Sequence, residues 1–215
     1  MRSAGATRRE RYVLPARAGS SGRTRPYRAI CALVVTLDGA RVTLREHVVG
    51  DLAAVLTYSS DRSVARYVPW EANTEAVARA FLEDAISTAA QQPRTSYVLA
   101  IIDRSTGTLI GAARIGLESE VHRRADIGYV LRRDLWGSGL ATEVARLLID
   151  FGFDNLGLYR IWATTHPDNP ASSRVLEKIG MSYEGRIRGH MFVKGSWRDS
   201  LSYAILEPEW RANRH

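Results

Sequence analysis

The sequence predicts a mixed α/β fold of the α+β type, and three observations carry that expectation. Tyr97–Ile102 is an unbroken apolar run, the mark of a strand covered on both faces. Thr142–Leu156 places Val144, Leu147, Leu148 and Phe151 at i, i+3, i+4 and i+7, a helical period. Turn pairs such as Asp38-Gly39 and Lys194-Gly195 stand between extended stretches, as hairpins require. The resulting order is β-β-α-α-β-β-β-α-β-α-β-β, with no internal repeat and no linker after residue 40.

Taken in order, Ala29–Thr36 and Arg41–Glu46 flank the turn Leu37-Asp38-Gly39-Ala40. One helix is expected at about 50–60 and a second at about 74–91. The second starts from an Asn73 or Thr74 cap, with Val77, Phe81 and Ala85 one turn apart. Ser105-Thr106-Gly107 turns the Tyr97–Ile102 strand into a partner over 108–117. Ala125–Leu131 follows as a strand and leads into a glycine-containing loop at 136–141. The helix over 142–156 stops at Gly157. Arg160–Thr165 reads as a strand and Pro170–Ile179 as a helix ended by Gly180. A last hairpin pairs 182–193 with 198–205 around Lys194-Gly195.

The 215 residues are 45% hydrophobic and 25% charged, which excludes collagen-like, mucin-like and wholly disordered classes. A chain of this size buries roughly 70% of its unfolded surface, enough for a core without disulfides or metal. The lone Cys31 excludes an internal disulfide framework and a cysteine-based zinc cage. The longest apolar run near the N-terminus, Ala29–Val35, falls far short of a membrane span. A soluble, cytoplasmic protein with no membrane partner is expected.

The formal charge of +7 has one source. Residues 1–28 hold eight arginines against Glu10, and the remaining acids and bases cancel. Residues 1–27 are therefore expected to be a disordered Arg-rich tail ahead of one domain over 28–215. A solvated leader, a targeting peptide and an electrostatic arm for a polyanion or ribosome all fit such a tail. Only Tyr12 and Tyr27 interleave its arginines, so base stacking is not expected.

Chemistry concentrates between Ala125 and Met181. Trp136-Gly137-Ser138-Gly139-Leu140-Ala141 joins a strand to the strongest helix. Glycines let backbone N–H groups turn towards one point, and a helix start adds unpaired N–H groups and a dipole, a site suited to phosphate. A plain tight turn is the alternative. A Walker loop is excluded because Gly-Leu-Ala stands where Gly-Lys-Ser/Thr is needed. The dinucleotide fingerprint fails because Thr142 takes the place of its last glycine.

Trp136–Ala141 resembles the Q/R-x-x-G-x-G/A acyl-CoA loop of the GNAT N-acyltransferase superfamily, with Gly139 and Ala141 at its small-residue positions. Trp136 departs from the usual Gln/Arg, but Trp-Gly is familiar in the branch acting on ribosomal-protein N-terminal alanine or serine. Downstream, Asn169-Pro-Ala-Ser172 through Lys178-Ile-Gly180-Met181 resembles that branch's N-x-x-S…K-x-G-F/M element. Val68-Pro69-Trp70 and Lys194-Gly195-Ser-Trp197-Arg-Asp199 also look like it, and the resemblance spans about residues 40–207.

That resemblance implies a mostly antiparallel sheet, splayed at the acyl-CoA site and flanked by about four helices. It implies that the amides of Trp136, Gly137, Ser138, Gly139, Leu140, Ala141 and Thr142 cradle the CoA pyrophosphate. Leu131 and Arg132 would bond the pantetheine arm through their backbone, and Asn169 would bond it from the opposite side. The Leu131 N–H would polarise the thioester carbonyl. Tyr67, Trp70 and Glu71 fall where family enzymes form the acceptor wall; simple packing is the alternative for each.

Acetyl transfer needs a neutral amine, while α-amines titrate near about 8 and lysine amines near about 10.4. A base is therefore useful, and Asp126 is the candidate: strand alternation groups it with Gly128 and Val130, opposite Ile127, Tyr129 and Leu131. An ion-paired surface aspartate is the alternative. Many GNAT enzymes protonate the leaving thiolate with a Tyr seven residues after the Asn, but Leu176 stands there. Ser172 matches the serine of the ribosomal branch; a helix-start cap or water are the alternatives. His47, His122, His166, His190 and His215 show no metal spacing and are expected on surfaces or loops; no metal is expected. Glu118 and Glu120 are candidates to attract a cationic amine.

The function these residues imply is acetyl-CoA-dependent N-acetyl transfer to a protein N-terminus or a small-molecule amine. A CoA-binding sensor or scaffold without catalysis is the alternative, as is an acyltransferase using a longer acyl-CoA. Oligomeric state is not readable from the sequence.

Overall fold

A computed structural model describes Arg11–Tyr12 and residues 34–213. The strands are β1 (Arg11–Tyr12), β2 (Val34–Asp38), β3 (Val42–Glu46), β4 (Ser96–Asp103), β5 (Leu109–Ser119), β6 (Arg124–Leu131), β7 (Arg160–Thr165), β8 (Ser182–Val193) and β9 (Ser196–Leu206). The helices are α1 (Leu52–Ser59), α2 (Arg62–Ala65), α3 (Glu75–Ala89), α4 (Leu140–Asp150), α5 (Pro170–Lys178) and α6 (Glu207–Ala212). One sheet runs in the order β1-β2-β3-β4-β5-β6-β7-β9-β8. It is antiparallel except at β1–β2 and β6–β7.

Strand alternation divides the core between the two faces of the sheet. Tyr97, Leu99 and Ile101 of β4, with Ala125, Ile127 and Leu131 of β6, pack on Val144, Ala145 and Leu148 of α4. Leu176 of α5 and Trp210 of α6 close the same cluster, and Trp210 Nε1 donates to Asp150 Oδ1 at 2.8 Å. On the other face Ala100 and Ala112 meet Val55 and Tyr58 of α1 and Ala78 of α3, with Val130 packed alongside. Asp126 and Gly128 share the parity of Val130, so they lie on this α1–α3 face.

The boundaries differ from expectation in instructive places. Six α-helices form among the described residues rather than about four. The four-residue α2 is too short to show a period, and α6 starts from Glu207-Pro208, where a Pro at the first turn loses no hydrogen bond. In α3 the inward stripe is Ala78, Leu82 and Ala85, while Val77 is half exposed: small alanines let the helix approach the sheet. α4 begins at Leu140, two residues before the expected start, and ends in a wide turn over Phe151–Asn155 before Gly157 at φ 66°. The strand expected over Ala29–Thr36 is described from Val34 and runs on to Asp38; positions 29–33, including Cys31, lie outside the described residues. Of the tail, only Arg11–Tyr12 is described, paired in parallel with Val34 and Val35. The disorder expected for the rest of 1–27 also lies outside the described residues. No helix among the described residues is long and apolar enough to cross a membrane.

One irregularity positions the site. β6 and β7 pair only over Arg124–Asp126 and Arg160–Trp162, then separate. Beyond that point β6 keeps its β5 partner as far as Leu131.

Candidate active site

The phase of the β5–β6 ladder decides what faces the opening. The Arg132 N–H donates to the Ile110 carbonyl at 2.9 Å, and Gly111 lies opposite Leu131. In an antiparallel ladder alternate residues bond the same neighbour, so Tyr129 and Leu131 turn their N–H and C=O groups away from β5. They face the gap where β7 has left. The Leu131 carbonyl accepts from Trp136 Nε1 at 3.0 Å, which ties the following loop to the strand end. The Leu131 N–H is left for a ligand.

The gap opens into a cavity of about 430 Å³. Tyr129, Leu131, Trp136, Gly139, Thr142 and Ser172 are among its walls, with Tyr67, Gly137, Ala141 and Asn169. Nine of the residues singled out from sequence therefore converge on one space. Ser138 and Leu140 sit in the loop and helix start without lining the cavity, and so does Arg132, which pairs with Asp134 at 2.5 Å. Trp70 and Glu71 follow α2 but do not line it.

The loop has the shape an anion needs. Gly137 and Gly139 hold φ of 76° and 83°, the left-handed region that favours glycine. Gly139 is the N-cap of α4 and supplies no side-chain cap, so the amides of Leu140, Ala141 and Thr142 are free of intrahelical partners. A brace absent from the sequence reading holds this loop. Arg41 Nη1 donates to the Ser138 carbonyl at 2.9 Å and its Nε to Glu143 Oε2 at 3.1 Å. Glu143 Oε1 also accepts from the Arg41 and Val42 amides at 2.7 and 3.2 Å. Burial would raise the Glu143 carboxyl, but these bonds outweigh it and hold it below its usual range.

Opposite the loop, Asn169 caps α5 by accepting from the Ser172 N–H at 3.1 Å, leaving its Nδ2 donors for a ligand. Ser172 Oγ lies 3.2 Å from Tyr129 Oη. Burial pushes the Tyr129 hydroxyl up to about 12, with the Ser172 bond opposing. Tyr129 therefore keeps its proton at neutral pH. It was missed as a site residue; its parity with Leu131 was the available signal, but its partner lies on α5 across the gap.

Asp126 is not in the cavity wall. It lies on the α1–α3 face, five residues before Leu131, roughly 16 Å along the strand. Arg114 forms an ion pair with it across β5–β6. Gly116 makes this possible, because a Cβ there would overlap the Arg114 guanidinium. Asp126 and Ser172 thus stand on opposite faces of the sheet, with the gap between them. Glu118, expected as a lure for a cationic amine, is bound to Trp162 Nε1 at 2.9 Å and Arg124 at 3.1 Å.

Among the described histidines His47 departs from the expected surface position, and His215 lies outside the described residues. His47 is buried rather than exposed, 3.4 Å from Asp51 and edge-on to Phe81. His166 follows β7 and lies beside Tyr67, with ring centroids 5.8 Å apart, and its Nδ1 accepts from the Asp168 N–H at 3.0 Å. Burial and nearby Arg198 lower the His166 imidazole below its usual value. No cluster of metal-ligating side chains forms among the described residues.

A splayed mixed sheet with an amide-lined gap and an uncapped helix start at its mouth is the arrangement that the resemblance to GNAT N-acyltransferases implies. The chain matches the acetyltransferase (GNAT) domain over residues 41–182 and belongs to that family of N-acetyltransferases. N-acetyltransferase YoaA of Bacillus subtilis, itself uncharacterized, is 34% identical over 172 residues, 80% of this chain and 97% of that protein. The spermidine N(1)-acetyltransferase of Escherichia coli K12 is 31% identical over 94 residues, 44% of this chain and 50% of that enzyme. Mycobacterium smegmatis RimJ in complex with CoA-disulfide shares the fold at a TM-score of 0.72 and 26% identity, over 81% of this chain and 88% of that one.

Proposed function

We propose that this enzyme transfers acetyl from acetyl-CoA to a primary amine by direct attack in a ternary complex. The observation that carries the reading is the β6–β7 gap, whose unpaired amide edge leads through the 132–139 loop to the uncapped N-terminus of α4. An extended thiol arm fits the place of a missing strand, and a diphosphate fits the Leu140–Thr142 amides. CoA-bound RimJ supports this assignment, because that fold holds CoA.

The chain's own groups then divide the work. The Leu131 N–H polarises the thioester carbonyl and stabilises the charge that develops on its oxygen. The Asn169 side chain steadies the arm from the α5 side. Asp126, on the α1–α3 face and paired with Arg114, takes the proton of the incoming ammonium through a chain of several waters, because its distance along β6 is too long for direct contact or a single bridging water. The N–C bond forms as the C–S bond breaks, and the amine's second proton passes through water to Ser172, replacing the one that Ser172 gives to the thiolate. The departing thiolate takes a proton on the other face from Ser172, backed by the Tyr129 hydroxyl. Attack from one face and departure on the other need no acyl-enzyme. Tyr67 forms the acceptor side of the mouth.

Thiol release from acetyl-CoA with an amine panel tests the reading. Asp126→Ala should lose roughly 100-fold in rate below pH 8 and recover as the amine deprotonates. Full rate at every pH below 8 would remove Asp126 from the role. Ser172→Ala should lose about tenfold. A titration of CoA that releases no heat would sink the whole proposal.

A further inference from the structure

The acceptor side of the mouth is positively charged. Tyr67 lines the cavity, and three cations surround it. Arg198 Nη1 donates to the Tyr67 carbonyl at 3.3 Å, Lys194 Nζ donates to the Ala65 carbonyl, and the Arg66 guanidinium carbon lies 5.4 Å from the Tyr67 ring centre. None of the three has a carboxylate within ion-pair distance among the described residues. Arg198 is the least satisfied. Its Nη2 rests against the Met191 sulfur at 3.2 Å, a weak acceptor, and its Nε is buried without a partner.

Three acids are already paired elsewhere. Asp126 is held by Arg114, Glu118 by Arg124, and Asp199 by Arg186 and the Gly189 N–H. Asp168 is mostly exposed and lies 4.0 Å from His166. The cavity wall itself has Arg174 and Lys178 and no acidic side chain. A second ammonium brought here would meet the half-buried Arg198 and the exposed Arg66 and Lys194, a repulsion that salt screens.

We infer that the acceptor is a primary amine carrying a carboxylate a few bonds away, and that this carboxylate docks on Arg198 with Arg66 and Lys194 beside Tyr67. The inference rests on the acetyl-transfer reading and narrows its substrate class. A carboxylate gives the Arg198 fork the charged acceptor that a thioether cannot. It also disfavours polyamines, although one relative of this chain is a spermidine acetyltransferase.

The experiment compares kcat/KM on matched acceptors: Ser-Glu against Ser-Gln peptides, free amino acids against their amides, and spermidine. The acidic member of each reactive pair should be preferred by about tenfold, the effect of one close charge pair, and spermidine should be the poorest acceptor. The preference should shrink towards unity in about 0.5 M salt. Arg198→Gln should bring it within about twofold, and Arg198→Lys should keep part of it, with CoA affinity by calorimetry confirming that each variant is folded. Preference confined to peptides identifies a peptide N-terminus as the source of the amine, and preference confined to free amino acids identifies a small molecule. Equal rates on acidic and neutral acceptors, or spermidine as the best acceptor, overturn the inference alone. Bound acetyl-CoA with no amine acetylated overturns the transfer reading as well.

Discussion

β7 has two unlike edges. Along one it pairs with β9 from Arg160–Leu206 to Thr165–Leu201; along the other it pairs with β6 for three residues and then parts. Both edges belong to the same strand, with the same alternation of buried Ile161, Ala163 and Thr165. What differs is the neighbour: β6 is held by β5 along its length and runs into a loop braced by Arg41 and Glu143. An opening in a sheet exposes the unpaired groups that an outer edge does. Enclosed between two strands, those groups admit only something as narrow as an extended arm.

The contrast breaks first at the mouth. Gly139→Val forces a β-branched residue into φ 83°, so CoA affinity should fall roughly 100-fold by calorimetry. Gly107→Val, equally strained at φ 69° but in the β4–β5 turn, should leave the CoA Kd within about threefold. Equal losses in both would mean that the mouth geometry is not special. Amide exchange sharpens the contrast at the strand itself. The Tyr129 and Leu131 N–H groups should exchange faster than that of Val130 in the free protein and slow by on the order of tenfold when CoA is added. Uniform protection along β6 before CoA is added would show that the gap is closed in solution.

The smallest effect belongs to a region remote from both edges. Asp51 accepts from Arg45 through both oxygens at 2.8 Å and from the Val48 N–H at 2.9 Å. Burial opposes its charge, but these bonds win and hold it well below the usual carboxylate range. Because its folded value lies below its unfolded value near 3.8, its contribution is complete above that pH and lost as pH falls further. Asp51→Asn should cost about 2 kcal/mol in urea unfolding at pH 7, less below pH 4, with CoA affinity unchanged.

What was legible in the sequence follows range. The loop at 136–141 and the strand before it carry their chemistry locally: two glycines, a helix start and an alternation of side chains. The resemblance could therefore name most of the proposed CoA side from consecutive residues. The Arg41–Glu143 brace was not legible because its members stand 102 positions apart and neither is unusual alone. The Tyr129–Ser172 pair crosses the gap, and the Arg114 partner of Asp126 fits only because Gly116 opposite it has no side chain. Arg198 stands in the sequence only as part of the Lys194–Asp199 resemblance, and its place against the Tyr67 carbonyl appears only once the β8–β9 hairpin is folded.

That hairpin has a consequence for redesign. Its tip, Lys194-Gly195, turns with both residues at positive φ, and it props the Ala65–Tyr67 segment from far along the chain. The tip belongs to a two-stranded arm at the rim of the fold, remote in sequence from Trp136–Thr142. Exchanging those few residues offers a handle for retuning which molecules receive the acyl group while the nucleotide grip is left alone.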